Sequence, residues 1–242
     1  MNSPPTVTVV IPVRDDAALL ERCLAALAAQ TLAPVEVIVV DNGSSDNSAR
    51  VAVLGGARVI THPTGTIPAA AAAGLDAGIG EILARLDADC IPPVDWVETI
   101  ARSMGDADGI TGGADFIDGP RVLRKPLAYL YLGAYYATAV PALGHLPLFG
   151  SNFAVTKLAW RAVQQEVHRN DDMVHDDLDL SFHLGPVRRI RFVRAMAMGM
   201  SMRPLTEPRG FGTRVRRGLH SIVIHWPHDL PWRRWARKAR MK

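Results

Sequence analysis

An α/β fold, a mainly parallel sheet flanked by helices, follows from three features of the first hundred residues. Apolar runs such as VTVVIPV, VEVIVV and EILARL alternate with stretches of helical character. The runs read as buried strands, and polar clusters stand where they end. Strands alternating with helical patterns indicate βαβ units, whose crossover helices cover the sheet and leave nearly continuous hydrophobic strands. In such open sheets ligands sit at the carboxyl ends of the strands.

The first strand is expected over 6–12 and a helix over 16–29. In that helix Leu19, Leu20, Cys23, Leu24 and Leu27 recur at three- and four-residue steps and make one buried stripe. Asp15 or Asp16 can cap its start. A strand over 35–41 runs into Asp41, Asn42, Gly43, Ser44 and Ser45. Then follow a helix over 45–54, a strand over 57–61 and a helix over 67–79, whose alanine run at 69–73 implies close packing. A strand over 82–87 ends in Asp87-Ala88-Asp89, and a helix over 94–103 comes next.

Regularity weakens beyond that point. From Pro126 to Thr156 there is no Asp, Glu, Lys or Arg, and Tyr129, Tyr131, Tyr135 and Tyr136 crowd its first part. Its best helical piece, LAYLYLGAYYATAV, is expected to stop before Pro141, short of the roughly 20 residues that span a bilayer. A buried core helix, a surface helix dipping into a membrane and a groove for a lipid acceptor are all open readings.

With 242 residues, 48% of them hydrophobic, the chain can bury one good core and carry a tail. Its two cysteines, Cys23 and Cys90, support neither a disulfide framework nor a zinc site, which fits a reducing cytosol. The opening MNSPP has no charged segment ahead of an apolar one, so no secretory signal is expected. Charge is divided along the chain. Residues 1–187 carry 12 basic and 22 acidic side chains, whereas residues 188–242 carry 15 basic and 2 acidic. The basic end implies a surface for phosphates or anionic lipid. In HWPHDLPWRRWARKARMK, Trp226, Trp232 and Trp235 alternate with Arg233, Arg234, Arg237, Lys238, Arg240 and Lys242, a pattern suited to a peripheral membrane anchor or to a helix packed on the domain. No nucleic-acid recognition motif accompanies it, and no nucleic acid is expected as partner.

The chemistry is narrowed first by absences. There is no GxxxxGK[ST] loop, no GxGxxG after the first strand and no GxSxG elbow. The DxD triplet occurs at Asp87–Asp89, Asp106–Asp108 and Asp177–Asp179, but only the first directly follows an apolar strand. Two carboxylates there can hold Mg2+ or Mn2+ against a diphosphate, because hard cations prefer oxygen ligands and keep positions open for phosphate.

Taken together, VTVVIPVRDDAALLERCLAALAAQ, VEVIVVDNGSSD and the strand ending LDADC resemble the inverting family 2 glycosyltransferases of the GT-A fold, over roughly residues 6–185. The resemblance implies a GT-A domain over 1–220, with a nucleotide-sugar half at 1–105 and an acceptor half at 106–220, and a basic, Trp-rich tail at 221–242. It also implies a nucleotide-sugar donor and a divalent metal, Mn2+ or Mg2+. By resemblance Pro12 and Arg14 lie near the base, Asp41 with Asn42 reads it, Asp87 faces ribose or metal, and Asp89 ligates the metal. Many members carry a second Asp where Asn42 stands; an amide can donate as well as accept. Many also carry Arg-Asn in the helix where this chain has Ala71 and Ala72. PLFGSNFAVTKLAW resembles the acceptor segment, with Gly150, Ser151 and Asn152 at its turn. VHDDLDLSFHL resembles the Glu-Asp motif, with Asp176 in the Glu place and Asp177 in the Asp place as general base. RGFGTRVRRGLHS resembles a basic gating segment only loosely; there Arg209, Arg214, Arg216 and Arg217 are candidates to clamp a diphosphate. His220, His225 and His228 are candidates for a third metal ligand, each also readable as an ordinary histidine.

The expected activity is inverting transfer of a sugar from a UDP- or GDP-sugar to a hydroxyl acceptor, sugar or lipid-linked, in cell-envelope glycan synthesis. The expected place is the cytoplasm, peripheral to the membrane face. Two alternatives stand beside it: a donor-binding or membrane-associated scaffold that lost turnover, motivated by Ala71 and Ala72, and a nucleotidyltransferase.

Overall fold

The computed structural model describes residues 3–62, 65–185, 187–206 and 208–240, the side chains of 208–211 excepted. Strand β1 (Val7–Val13) leads to helix α1 (Ala17–Ala28), β2 (Glu36–Asp41), α2 (Ser48–Leu54), β3 (Arg58–Thr61), α3 (Ile67–Ala77), β4 (Ile82–Arg85) and α4 (Trp96–Met104). Next come β5 (Gly109–Thr111), β6 (Ala114–Phe116), α5 (Arg121–Leu143), β7 (Phe153–Thr156), α6 (Lys157–Val163) and α7 (Asp176–Leu184). The chain closes with β8 (Ile190–Phe192), β9 (Met198–Met200), α8 (Arg203–Thr206), α9 (Pro208–Val223) and α10 (Pro231–Arg240).

Seven strands form one sheet in the order β3-β2-β1-β4-β7-β5-β8. β1 through β4 run parallel, while β7 is antiparallel to both β4 and β5. β6 and β9 pair in parallel as a small second sheet. Val7, Val9, Ile11 and Val13 of β1 face one core with the α1 stripe Leu20, Cys23, Leu24 and Leu27 and with Trp96 of α4. Val10 faces the other core with Ile38, Val40 and the α3 residues Ala70, Ala72 and Leu75. Burial on both faces is why β1 reads as an unbroken hydrophobic run rather than an alternation. The alanines of α3 let the helix lie close to the sheet: a Cβ on Gly74 would stand 2.3 Å from Val10 Cγ1.

Three departures from expectation have clear causes. The helix expected from 45 begins at Ser48, because the Asp46 carboxylate accepts from the Ser48 N–H and Oγ and leaves 42–47 as a loop. The strand expected to reach 87 stops at Arg85, which frees Asp87 and Asp89 for an irregular turn. The helix expected to stop before Pro141 instead runs 23 residues, through Pro126 and Pro141, to a left-handed Gly144 at φ 76°. Both prolines are exposed, so the carbonyls that lose a helical donor are left to water. Arg121, Arg124 and Lys125 occupy the first turns of α5, and no described helix is long and apolar enough to cross a membrane.

The last helix is anchored. Arg234 is fully buried, and its guanidinium donates to the carbonyls of Leu143 and Phe182 at 2.7 and 3.2 Å and reaches His145 Nε2 at 3.2 Å. Trp235 Nε1 donates to the Pro141 carbonyl at 2.9 Å. Trp226, Trp232 and Trp235 nevertheless keep 42–66% of their surface exposed. Arg234→Ala strands buried acceptors, each costing about 1–3 kcal/mol when unpaired. Urea unfolding is expected to show a loss of about 2–4 kcal/mol.

Candidate active site

β1 and β2 end side by side, Val13 opposite Asp41, and the loops leaving them are tied together. Asp15 sits at φ 52°, in the left-handed region that few non-glycine residues occupy. Its carboxylate accepts from the Ser45 N–H and hydroxyl at 2.6 and 2.9 Å, and its N–H donates to Ser44 Oγ at 3.0 Å. The Ser44 N–H donates to Asp41 Oδ1 at 2.9 Å. Asp41 and Asn42 are buried at the strand end, and the Asn42 amide oxygen has no protein donor. A buried acceptor without a partner costs about 1–3 kcal/mol, so a ligand N–H is welcome there. Pro12 is half-buried beside Val40, and Arg14 is exposed.

β4 lies on the other side of β1, with Arg85 opposite Val10, so Asp87 and Asp89 emerge at the same sheet edge. Arg85 is 4% exposed. Its Nη2 stands 3.0 Å from Asp87 Oδ1 and 3.4 Å from Asp176 Oδ2. Ser151 Oγ donates to Asp87 Oδ2 at 2.6 Å. Arg203 Nη2, from α8, bridges Asp89 Oδ2 at 3.0 Å and Asp16 Oδ2 at 2.5 Å. Asp16 follows β1, and its N–H donates to Ser48 Oγ at 3.1 Å. A continuous polar network therefore joins the 41–48 loop to Asp89.

Asp87, Asp89 and Cys90 offer ligand atoms within 4.8 Å of one another. Burial, then the neighbouring Asp87 carboxylate, push Asp89 up to about 6, while Arg203 pulls the other way. A cation between the two carboxylates would relieve that repulsion, and their oxygens suit Mg2+ or Mn2+. Burial holds the Cys90 thiol well above its usual range, so it stays protonated and ligates poorly.

The acceptor-side segment meets the same edge through Arg85. The Gly150 N–H donates to Asp177 Oδ2 at 2.7 Å, and a Cβ at this glycine would stand 2.5 Å from Arg85 Nη1. Leu178 N–H donates to Asp177 Oδ1 at 2.8 Å, and the Tyr135 hydroxyl stands 3.4 Å from Asp177 Oδ2. Burial pushes Asp176 up to about 6, opposed by Arg85 and reinforced by Asp177 and Asp87. Asn152 is a correction to its reading as an acceptor contact. It is fully buried; its Oδ1 accepts from Trp96 Nε1 at 2.9 Å, and its Nδ2 donates to the carbonyls of Gly113 and Met196. Its amide fastens β7 to α4 and the segments after β5, and is spent on those partners.

Arg214 Nη1 donates to the Pro204 carbonyl, and its charge acts on the Tyr131 phenol together with those of Asp177, Asp87 and Asp89. Burial raises that phenol in spite of Arg214. The Arg209 side chain lies outside the described residues. His220 pairs with Asp171 at 2.7 Å and His225 lies beside Asp179; neither is grouped with Asp87 and Asp89. Ala71 and Ala72 line a narrow cleft that Asp176 and Asp179 close. Sequence reasoning missed two arginines. Arg85 had a signal, a cation inside a buried strand two residues before Asp87; Arg203 had none beyond the basic composition of its region.

A mixed, mainly parallel sheet with acidic residues gathered at the ends of β2 and β4 is the GT-A architecture. The sequence profile described as Glycosyl transferase family 2 matches residues 8–157, and the chain belongs to that family. Glycosyltransferase AglE of Haloferax volcanii is 34% identical over 118 residues, 45% of this chain and 39% of that protein. An uncharacterized glycosyltransferase of Mycobacterium tuberculosis is 36% identical over 126 residues, 52% of this chain and 51% of that protein. The chain thus spans two-fifths to half the length of these curated relatives. Among solved structures, glucosyl-3-phosphoglycerate synthase of M. tuberculosis with Mn2+, UDP and glucosyl-3-phosphoglycerate superposes with a TM-score of 0.58 at 20% identity, covering 88% of this chain and 80% of that one. S. aureus TarS superposes at 0.63 with 14% identity, covering 91% of this chain and 39% of that one. At these identities the superpositions establish the fold.

The raised carboxyls set a pH signature. Asp89 and Asp176 lie near 6 in the folded chain, against an ordinary 3.8. The native state therefore binds more protons than the unfolded chain between those values. Their contribution to stability is full below about pH 4 and is lost as pH rises through about 6. Mn2+ competes with the proton on Asp89, so it is expected to raise the thermal midpoint clearly at pH 7, little at pH 5, and at neither pH in Asp89→Ala.

Proposed function

We propose that this protein is an inverting glycosyltransferase that moves a sugar from a UDP- or GDP-sugar to a hydroxyl acceptor. The observation that carries the reading is Arg85, one buried cation placed between the candidate metal carboxylate Asp87 and the acid pair Asp176–Asp177. Inversion at an anomeric carbon needs a base on the acceptor side and a stabilised leaving group on the other, and Arg85 keeps the two sides in register. In this reading Asp177 takes the acceptor proton, oriented by the Gly150 N–H, and Asp176 is held beside it. Asp41 and the unpaired Asn42 oxygen face the base, flanked by Pro12 and Arg14. Arg214 approaches the diphosphate, and Arg209, whose side chain lies outside the described residues, is the further candidate there by resemblance. Asp87 and Asp89 would hold a divalent cation, Mn2+ or Mg2+, whose charge offsets that of the departing diphosphate. The Mn2+ and UDP in the similar synthase structure support a donor of this class.

A lipid-linked acceptor at the cytoplasmic membrane face extends the reading. Exposed Tyr129 and Leu130 on α5, and exposed tryptophans beside the cations of α10, support it. The second reading, a donor-binding scaffold, is favoured by the apolar Ala71 and Ala72 and by Arg203 already lying on Asp89. Incubation with Mn2+, nucleotide sugars and membrane extract separates the two. Turnover is expected to release nucleoside diphosphate and to invert the anomeric configuration by NMR. Asp89→Ala and Asp177→Asn are each expected to lower kcat by about 10²–10⁴; donor binding without release would establish the scaffold instead. Flotation with phosphatidylglycerol vesicles tests the surface: the exposed pair Trp232→Ser and Arg233→Glu is expected to at least halve recovery, and equal recovery removes the membrane role.

A further inference from the structure

One turn along α7 from Asp176, four side chains from three parts of the chain converge. His168 comes from the segment before α7, Asp179 and His183 are one turn apart on α7, and His225 follows α9. Their ligand-type atoms all lie within 4.8 Å of one another. Asp179 Oδ1 is the hub, with His168 Nδ1 at 2.7 Å, His225 Nε2 at 3.2 Å and His183 Nε2 at 3.4 Å. Asp179 and His225 are 1% and 8% exposed, so this is not a solvated surface cluster.

His168 Nδ1 is already hydrogen-bonded to Asp179 Oδ1, but two other ring nitrogens of the cluster are poised rather than satisfied. His225 Nδ1 lies 2.8 Å from the Ser221 carbonyl oxygen. A carbonyl only accepts, so Nδ1 carries the proton and the buried Nε2 turns a lone pair toward the centre. Neither His225 Nε2 nor His183 Nε2 has a hydrogen-bond partner. His183 Nδ1 faces Glu166 Oε2 at 3.4 Å. A carbonyl or carboxylate behind the imidazole is the arrangement that orients metal-bound histidine. The His168 N–H holds the other oxygen, Asp179 Oδ2, at 2.8 Å, fixing the carboxylate plane. Protonating the rings instead would set three cations with centroids 5.1–5.4 Å apart around a single carboxylate.

Size agrees with chemistry. Zinc bonds of ~2.0–2.2 Å to tetrahedral corners separate neighbouring ligand atoms by roughly 3.3–3.5 Å. The 3.2 and 3.4 Å spacings from Asp179 Oδ1 match that edge, and the 2.7 Å spacing to His168 needs to open by about half an ångström. Three imidazoles and one carboxylate suit zinc or a similar transition ion, unlike the all-oxygen pair Asp87 and Asp89. We propose that His168, Asp179, His183 and His225 form a closed structural site for one divalent transition-metal ion of the zinc class. It clamps the segment after α9 onto the helix whose first turn carries Asp176 and Asp177. Phe182, stacked on His225 at 4.1 Å, and Arg234, whose guanidinium lies 4.8 Å from the Phe182 ring centroid, extend the same clamp.

The full chain, purified with a histidine-free tag and stripped by chelator, is titrated with Co2+ alone. One equivalent is expected to give the intense visible absorption of tetrahedral cobalt, bleached when Zn2+ is added. The band is expected to persist in Asp89→Ala and to vanish in His183→Gln and in His225→Gln. Zn2+ should also raise the thermal midpoint of the stripped wild-type chain. A folded wild-type chain without the tetrahedral band overturns the proposal, whatever the variants do. So does a band that survives both histidine substitutions but is lost in Asp89→Ala.

Discussion

A guanidinium buried in the middle of a hydrophobic sheet holds the candidate site together. Placing Arg85 there costs several kcal/mol of lost hydration, and only close carboxylates offset it. Asp87 and Asp176 do so together, both facing Nη2, at 3.0 and 3.4 Å. The dependence is mutual, because Asp87, Asp176 and Asp177 repel one another and are gathered by the cation among them. The same crowding explains Gly150: its backbone must come within hydrogen-bond reach of Asp177 while Arg85 fills the space where a Cβ would go.

Charge in the second half of the chain has a similar explanation. The 15 basic residues of 188–242 do not make one ligand-binding face. Arg188 pairs with Asp108, Arg189 and Arg191 with Asp106, Arg203 with Asp16 and Asp89, and Arg234 and Arg237 with Asp229. Several of these pairs join the basic end to the acidic first half, so the division seen along the sequence is partly cancelled in space. What it leaves on the outside is concentrated on α9 and α10, beside exposed tryptophan.

The strands and helices of the first hundred residues were legible because local and global demands agree there: both sheet faces are covered, so each strand is uniformly apolar, and each helix carries one apolar stripe. Helix α5 was not legible at its ends. Proline usually stops a helix, yet Pro126 and Pro141 both face solvent, where the lost hydrogen bonds are replaced by water. Asn152 misled for a related reason. The resemblance of PLFGSNFAVTKLAW to an acceptor segment implied an acceptor contact, but alternation along the turn sends Ser151 to Asp87 and Asn152 inward to Trp96.

By itself the chain's order of residues determined the α/β layering, the position of Asp41, Asn42, Asp87 and Asp89 at strand ends, and the membership of a family, because these are read within a few residues of one another. Only the tertiary structure decided which cations accompany those carboxylates and which histidines meet. Arg203 reaches Asp89 across 114 positions, and His225 reaches Asp179 from the segment after α9. Such pairings leave no local periodicity, because they are set by how helices pack on the sheet.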